Sequence, residues 1–343
     1  MKPIRIEGGG ISGLALGYAL AQKGVPVSLF EKGRYPRHRV CGEFLAGLTP
    51  ATLKRLELED LFSTSPIARS VWWFKGKTPV AKHELPHLVF MQSRYALDSK
   101  LAHRFVKAGG DLHTGHRIDP RKPAPEGTVR TLGKSSGQSG RLGLKAHFKD
   151  LPLEADLEMH LGRQAYVGLS RVEGGYVNVC GLFERQKGLQ SKKENWLKTY
   201  LRSSGLESLA LRLDKASLRE GSFCGVSGFA FGIPSSSPKD SSNSLSLGDC
   251  HAMIPPFTGN GMTIAFESAA LALPWLLDYS KGKRTWEETT NQLSKARDEH
   301  LNGRLRRAIR LQSLLEMNLT QNLLCSLARA KLLPLTYLYR ILH

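Results

Sequence analysis

The sequence has little of what would tie it to metal, disulfide or membrane-spanning chemistry. Its five cysteines, Cys41, Cys180, Cys224, Cys250 and Cys325, are scattered and odd in number, and no Cys-x-x-Cys pair occurs. Neither a zinc site nor a disulfide framework is indicated, and a reducing cytoplasm is the expected compartment. No apolar run reaches the roughly 20 residues that a membrane span needs. The N-terminus enters a strand-turn-helix pattern at once, without the charged, apolar and cleavage regions of a signal peptide. Acidic residues are scarce beside basic ones, 30 against 49, giving a net charge of +19. Such a charge favours anionic partners, but no RNA or DNA motif accompanies it, so nucleic acid is not expected.

What is present is glycine chemistry. The 343 residues include 34 glycines, and the first three of interest stand in "IRIEGGGISGLALGYALAQKGVPVSLFEKG". Ile4 and Ile6 alternate as in a strand. Gly8, Gly10 and Gly13 follow as G-x-G-x-x-G. Leu14, Leu16, Ala19 and Leu20 then give a helical stripe, and Val25, Val27 and Leu29 a second strand ending at Glu31. Gly8 permits the tight turn, Gly10 a close approach to a pyrophosphate, and Gly13 the packing of helix on strand. The helix N-terminus offers free N–H groups to the phosphates, and Glu31 offers a carboxylate to a ribose. The segment is expected to bind a dinucleotide. Glu7 is an oddity, an acid where a strand residue is usually apolar, and is expected at the open edge of the strand end.

A second cluster stands about 235 residues later, in "LSLGDCHAMIPPFTGNGM", before an apolar helix. It resembles the second flavin motif of the para-hydroxybenzoate hydroxylase-like flavoproteins. That resemblance implies FAD as the cofactor. It places Gly248 and Asp249 at the ribityl chain, and Pro256, Gly259, Gly261 and Met262 at the pyrimidine end of the flavin. His251 falls near the flavin or serves as a structural donor. "YPRHRVCGEFL" is similar to the geranylgeranyl reductase-related branch. This implies Arg37 and Arg39 near the FAD phosphates or adenosine, and Cys41 at the isoalloxazine or substrate entrance, with Cys41 or Glu43 shaping a catalytic site. In "MQSRYALDSKLAHRFVKAGGDL" the same likeness brings Arg94 to the diphosphate. Leu97, Leu101 and Phe105 form the core face of that helix, and Gly109 and Gly110 stop it.

The resemblance implies an α/β fold: a Rossmann-like, three-layer FAD-binding domain with a mostly parallel sheet, an antiparallel β-sheet substrate domain and C-terminal helices. The expected division is 1–60, 93–150 and 240–284 for the discontinuous FAD-binding domain and 61–92 with 151–239 for the substrate domain. A C-terminal helical region covers 285–343, broken at Pro334. "GRLGLKAHF" leads into the substrate sheet, and the polar stretch 234–244 is expected to be a surface loop. Trp72, Trp73, Phe74, Phe90, Tyr166, Phe229 and Phe231 are candidates for an apolar pocket.

Two departures bear on function. The segment after the Arg94 helix is short and proline-rich, and only Thr131-Leu132-Gly133-Lys134 stands where the family has its Asp-Gly or Thr-Gly-Arg motif. The Trp-x-Trp-x-Ile-Pro signature of halogenases is absent. The favoured expectation is an FAD-dependent oxidoreductase reducing a double bond of a bulky apolar, prenyl-lipid or polyketide-like substrate by hydride transfer. The alternative is a flavin monooxygenase acting on an aromatic or polyketide substrate, and a further alternative is a degenerate flavin-binding or membrane-surface protein. No second nucleotide fold is visible, so electrons would come from transiently bound NAD(P)H or from a ferredoxin-like donor. The basic, leucine-rich C-terminal stretch suits packing on its own domain or peripheral contact with an anionic membrane.

Overall fold

A computed structural model describes residues 1–134, 140–186, 195–229, 231–233 and 244–342. In chain order the first elements are β1 (Ile4–Glu7), α1 (Ile11–Gln22), β2 (Val27–Glu31), β3 (Phe44–Leu45), α2 (Pro50–Arg55), β4 (Ile67–Lys75) and β5 (Thr78–Met91). Then come α3 (Arg94–Lys107), β6 (Asp111–Thr114), β7 (Thr128–Arg130), β8 (Arg141–Lys149), β9 (Leu157–Gly162), β10 (Ala165–Arg171) and β11 (Val177–Glu184). The rest are α4 (Trp196–Ser203), α5 (Glu207–Asp214), β12 (Ser217–Leu218), β13 (Cys224–Ser227), β14 (Ser244–Ser246), α6 (Gly261–Ser280), α7 (Trp286–Glu316), α8 (Asn318–Arg329) and α9 (Leu335–Leu342). The loop expected at 234–244 lies outside the described residues except for Ser244, which opens β14.

The first sheet has the order β14-β7-β1-β2-β6 and is parallel throughout. Parallel strands need both faces covered. α1 supplies one cover and is apolar all round, with every residue but its last buried. It packs against α6 and α3, where Leu97, Leu101 and Phe105 are fully buried as their spacing predicts. Because β1 and β14 both run parallel to β7 between them, the turns after β1 and β14 open at the same end of the sheet. This ordering brings the two distant glycine clusters together.

Glu7 is not at an open edge. It is buried, pairing through Oε2 with Arg130 Nε at 3.2 Å and through Oε1 with Arg5 Nε at 3.0 Å. Glu7 and Arg130 are register partners on β1 and β7, and Arg130 also donates to the carbonyls of Pro120 and Lys122. The acid thus fastens the proline-rich segment to the central strand, since a buried charge needs a partner.

The second sheet has the order β12-β8-β11-β10-β9-β4-β5-β3, with β13 also on β8. It is mixed rather than purely antiparallel. β4 and β9 run parallel, Val71 opposite Leu157 through Lys75 opposite Leu161. Hairpins dictate the antiparallel pairs on either side, whereas β4 and β9 come from separate chain segments that no tight turn constrains. β8, inside the range assigned above to the dinucleotide unit, pairs with β11 here, and β3 pairs with β5. The 151–239 range also contributes the helices α4 and α5, which cover the sheet's β8–β11 side with buried Leu197, Leu201, Leu209 and Leu213.

At the C-terminus α7 opens with a capping box between Thr285 and Glu288, and the helical stretch breaks before α9 around Pro334. Part of the leucine content packs on the second core. Leu319, Leu323 and Leu332 remain exposed. Among the described residues no helix is long and apolar enough to cross a membrane.

Candidate active site

The glycine turn after β1 is built by contact with the neighbouring strand. Gly8 has φ +116°, and a Cβ there would lie 2.2 Å from the Thr131 carbonyl oxygen. Thr131 Oγ1 in turn donates to the Gly8 carbonyl at 2.6 Å. The Thr131 segment therefore shapes the turn. Gly13 sits against Gly8 in the first turn of α1. Gly10 behaves differently: it is the N-cap of α1, no side chain caps the helix, and a Cβ on it would meet nothing within 4 Å. The free N–H groups of this helix start face open space, the arrangement an anion needs.

Glu31 ends β2 beside this turn. Its carboxylate accepts from the N–H groups of Gly9 and Gly33, both at 2.8 Å, and pairs with Arg37 at 2.7 Å and Arg39 at 3.6 Å. Burial opposes its charge, but the Gly33 N–H and the two arginines outweigh it and hold the carboxyl below its ordinary range. Arg37 faces Glu31 and Gly33 rather than the cavity described below. Arg39 faces that cavity and donates to Asp98 at 3.0 Å. Asp98, fully buried, also takes two bonds from Arg94 at 2.7 and 2.8 Å. Two guanidinium groups thus share one buried carboxylate and present surplus positive charge to the cavity. Asp98 stands one helical turn after Arg94, and that i,i+4 spacing was the signal for it in the sequence.

At the second cluster β14 leads through Gly248 to Asp249. Gly248 packs on Ser12 of α1. Asp249 faces the cavity, and among the described residues no group donates a hydrogen bond to its carboxylate. Burial pushes its pKa up to about 6, against the pull of Arg94 and Arg39. Gly259 has φ +71°, and a Cβ on it would lie 2.2 Å from the Phe44 ring. Gly261 begins α6 with nothing within 4 Å of its Cβ position. His251 does not reach the cavity; its Nε2 lies 3.1 Å from Asp298.

These groups surround one elongated cavity of about 340 Å³. Gly8, Gly10 and Glu31 line one end, Arg39, Arg94 and Asp249 the middle, and Pro256, Gly259, Gly261 and Met262 the other end. Gly13, Arg37, Gly248 and Glu43 stand behind its wall. Cys41 and Gly42 form part of the wall facing the second sheet, where Ser170 and Asn178 donate to the Gly42 carbonyl at 2.8 and 2.9 Å and Asn178 also to that of Cys41. Burial pushes the thiols of Cys41 and Cys180, both on the wall, above their ordinary pKa. They are neutral thiols rather than nucleophilic thiolates.

Glu43 has a role the sequence did not show. It is fully buried with φ +58° and accepts from Lys145 Nζ at 2.9 Å, His147 Nε2 at 2.6 Å and the Arg94 N–H at 2.8 Å. Burial opposes its charge, but His147 and Lys145 hold its pKa low. Lys145 and His147 are themselves fully buried on β8. Their i,i+2 spacing in "LKAHF" places both on one face of the strand. The triad bolts the Cys41–Gly42 segment and the start of α3 to the second sheet.

A second cavity, about 170 Å³, lies on the other side of Phe44 and Met159, which line both. Of the aromatic candidates, Tyr166 and Phe229 line the first cavity and Trp73 the second. Phe74 instead stacks on His160, Phe90 on Phe62, Phe231 on Phe229, and Trp72 carries the Lys82 ammonium on its face.

A family model described as an NAD(P)-binding Rossmann-like domain matches residues 6–41. No curated protein sequence matches the chain significantly. Among solved structures, PqsL, a probable FAD-dependent monooxygenase from Pseudomonas aeruginosa, matches at 14% identity with a TM-score of 0.71, covering 96% of this chain and 98% of that one. A geranylgeranyl bacteriochlorophyll reductase-like protein from Thermoplasma acidophilum matches at 16% identity, TM-score 0.74, covering 95% and 91%. The flavin-dependent brominase Bmp2 matches at 17%, TM-score 0.73, covering 99% and 92%. The chain shares the fold of these proteins. The reductase-related likeness is thus one of several kinds of relative with this fold.

Proposed function

We propose that this protein is an FAD-dependent oxidoreductase that acts on a small apolar substrate, and that its reaction is of the monooxygenase type. The observation that carries the reading is the single cavity running between the two glycine clusters, with an uncapped helix N-terminus at each end and an undonated carboxylate, Asp249, between them. These features fit FAD. The α1 N-terminus with Arg39 and Arg94 would hold the diphosphate, Glu31 the ribose, Asp249 the ribityl hydroxyls, and the N–H groups at Gly261 and Met262 the pyrimidine end. Bound there, FAD would supply two-electron redox chemistry and reaction with oxygen. The chain's own part is to bind and orient. The arginine pair neutralises phosphate, the α6 dipole stabilises negative charge at the pyrimidine end, and the Phe44–Met159 wall keeps water from the apolar side.

Monooxygenase chemistry is preferred because a probable FAD-dependent monooxygenase and two flavin-dependent halogenases share this fold, while the halogenase signature is missing from the sequence. One observation favours a reductase: two neutral thiols, Cys41 and Cys180, stand on the cavity wall, where protonation of a reduced carbon would need a neutral donor. The purified protein should show flavin absorption that bleaches with dithionite and with NADPH. NADPH oxidation that consumes oxygen when substrate is added supports the monooxygenase, and turnover only without oxygen supports the reductase. Absence of flavin bands after adding FAD overturns both.

A further inference from the structure

The second cavity lies between the β4–β5 part of the nine-stranded sheet and helices α7, α8 and α9. Leu157, Val89, Leu315 and Leu338 are typical of its walls, and neither lysine, arginine, aspartate nor glutamate lines it. An ionised ligand would lie there without a counter-charge, which apolar surroundings do not tolerate. The few polar side chains differ in how far they are engaged. The Thr258 hydroxyl is used by the Pro255 carbonyl at 2.9 Å, and Tyr339 interacts with the Gly47 backbone. His83 Nε2 is buried and has no hydrogen-bond partner among the described residues. Burial lowers the His83 pKa against the opposing pull of Glu84, which favours the neutral ring, and Nε2 offers one hydrogen bond to an uncharged group. At its inner end the cavity meets Phe44, whose ring rests on Gly259, the turn at the far end of the first cavity.

We propose that the second cavity holds the body of the substrate, an uncharged and largely hydrocarbon molecule with one hydroxyl or carbonyl oxygen bound to His83 and its reacting end directed into the first cavity past Phe44 and Met159, which line both. The assignment of this occupant as substrate rests on the flavin reading above; the binding site itself does not.

The test is displacement of the neutral fluorophore N-phenyl-1-naphthylamine from the full chain, with and without added FAD, by 1-octanol, octanoate and heptane. Octanol should compete about tenfold or more better than octanoate. His83→Leu should weaken octanol by about two- to tenfold, the range of one neutral hydrogen bond, and leave heptane unchanged. Ala328→Trp, which fills the cavity from α8, should abolish octanol competition while flavin absorption is kept. Ala81→Trp fills it from β5 should the first variant not fold. Equal competition by octanoate and octanol, or octanol affinity unchanged in a folded filling variant, overturns the proposal. Octanol binding with this pattern in a protein that takes up no flavin leaves the cavity assigned and removes the flavin reading. Flavin uptake without octanol binding removes the cavity assignment alone.

Discussion

The two cavities share two wall residues and little else. The first has glycine backbone, helix N-termini and ionised side chains along the parallel sheet and apolar side chains such as Leu182 and Phe229 along the second sheet, and its key polar positions form two compact motifs in the sequence. The second is made of aliphatic side chains from both sheet and helices, spread from Phe44 to Leu342, and no motif announces it. The difference follows from what does the binding. Backbone N–H groups reach a phosphate only where no Cβ intervenes, so such a site marks the sequence with glycines. Apolar walls ask only for volume and hydrophobicity, which many sequences supply equally well. The wall between the cavities is held by a third kind of device, the buried Glu43–Lys145–His147 triad.

The comparison can be broken most forcefully at that triad. Lys145→Met leaves Glu43 without its full counter-charge in complete burial, and should lower unfolding free energy by about 3–5 kcal/mol, read from a denaturant midpoint. A loss below about 1 kcal/mol would show that the triad is not what holds the wall.

Asp249 gives the next effect, on pH dependence. Its carboxyl titrates near 6 in the folded protein, above its unfolded value, so the folded state binds the extra proton between about pH 4 and 6. Stability of the FAD-free protein should therefore fall as pH rises through that window, by on the order of 1–3 kcal/mol. Asp249→Asn should remove this part of the slope in thermal melts across that range; an unchanged slope refutes the assignment.

Gly10→Ala sharpens the contrast between fold and binding. The added methyl meets no protein atom within 4 Å, so the cost to stability is that of a poorer N-cap, on the order of 0.5–1 kcal/mol. FAD affinity should drop on the order of tenfold, about 1.4 kcal/mol, in a flavin titration. Octanol binding in the second cavity should be untouched.

The smallest effect belongs to the outer wall. Thr285→Ala removes the capping box of α7 and should cost about 1 kcal/mol in thermal stability without altering flavin uptake. A large loss of flavin would mean that the C-terminal helices support the first cavity as well.

Much of the first cavity was legible. Gly8, Gly10, Glu31, Arg39, Arg94, Asp249 and Gly261 all reach it. Arg37 and Glu43 were placed at the site by the likeness of "YPRHRVCGEFL" to the reductase-related branch, yet each side chain pairs with a buried charge and lies outside the cavity lining. Adjacent residues in an irregular loop have no fixed relative direction, so spacing could not separate them. The reading of Glu7 failed for a related reason: its partner Arg130 arrives from a strand more than a hundred residues away.

By itself the sequence determined the local events: two strand-glycine-helix units about 235 residues apart, the acid closing β2, the apolar face of α3 and the cap of α7. Each depends on backbone conformation, periodicity or a hydrogen bond within a few residues, and these leave a local pattern. Tertiary structure alone decided that β7 lies between β1 and β14, that β4 meets β9 in parallel, that Arg39 joins Arg94 on Asp98 and Glu43 collects cations from a distant strand, and that a second, apolar cavity opens beside the first. Those outcomes come from burying charge in pairs and covering sheet faces with whichever segment is at hand. The energies involved depend on which residues meet in space, and the order along the chain does not record that.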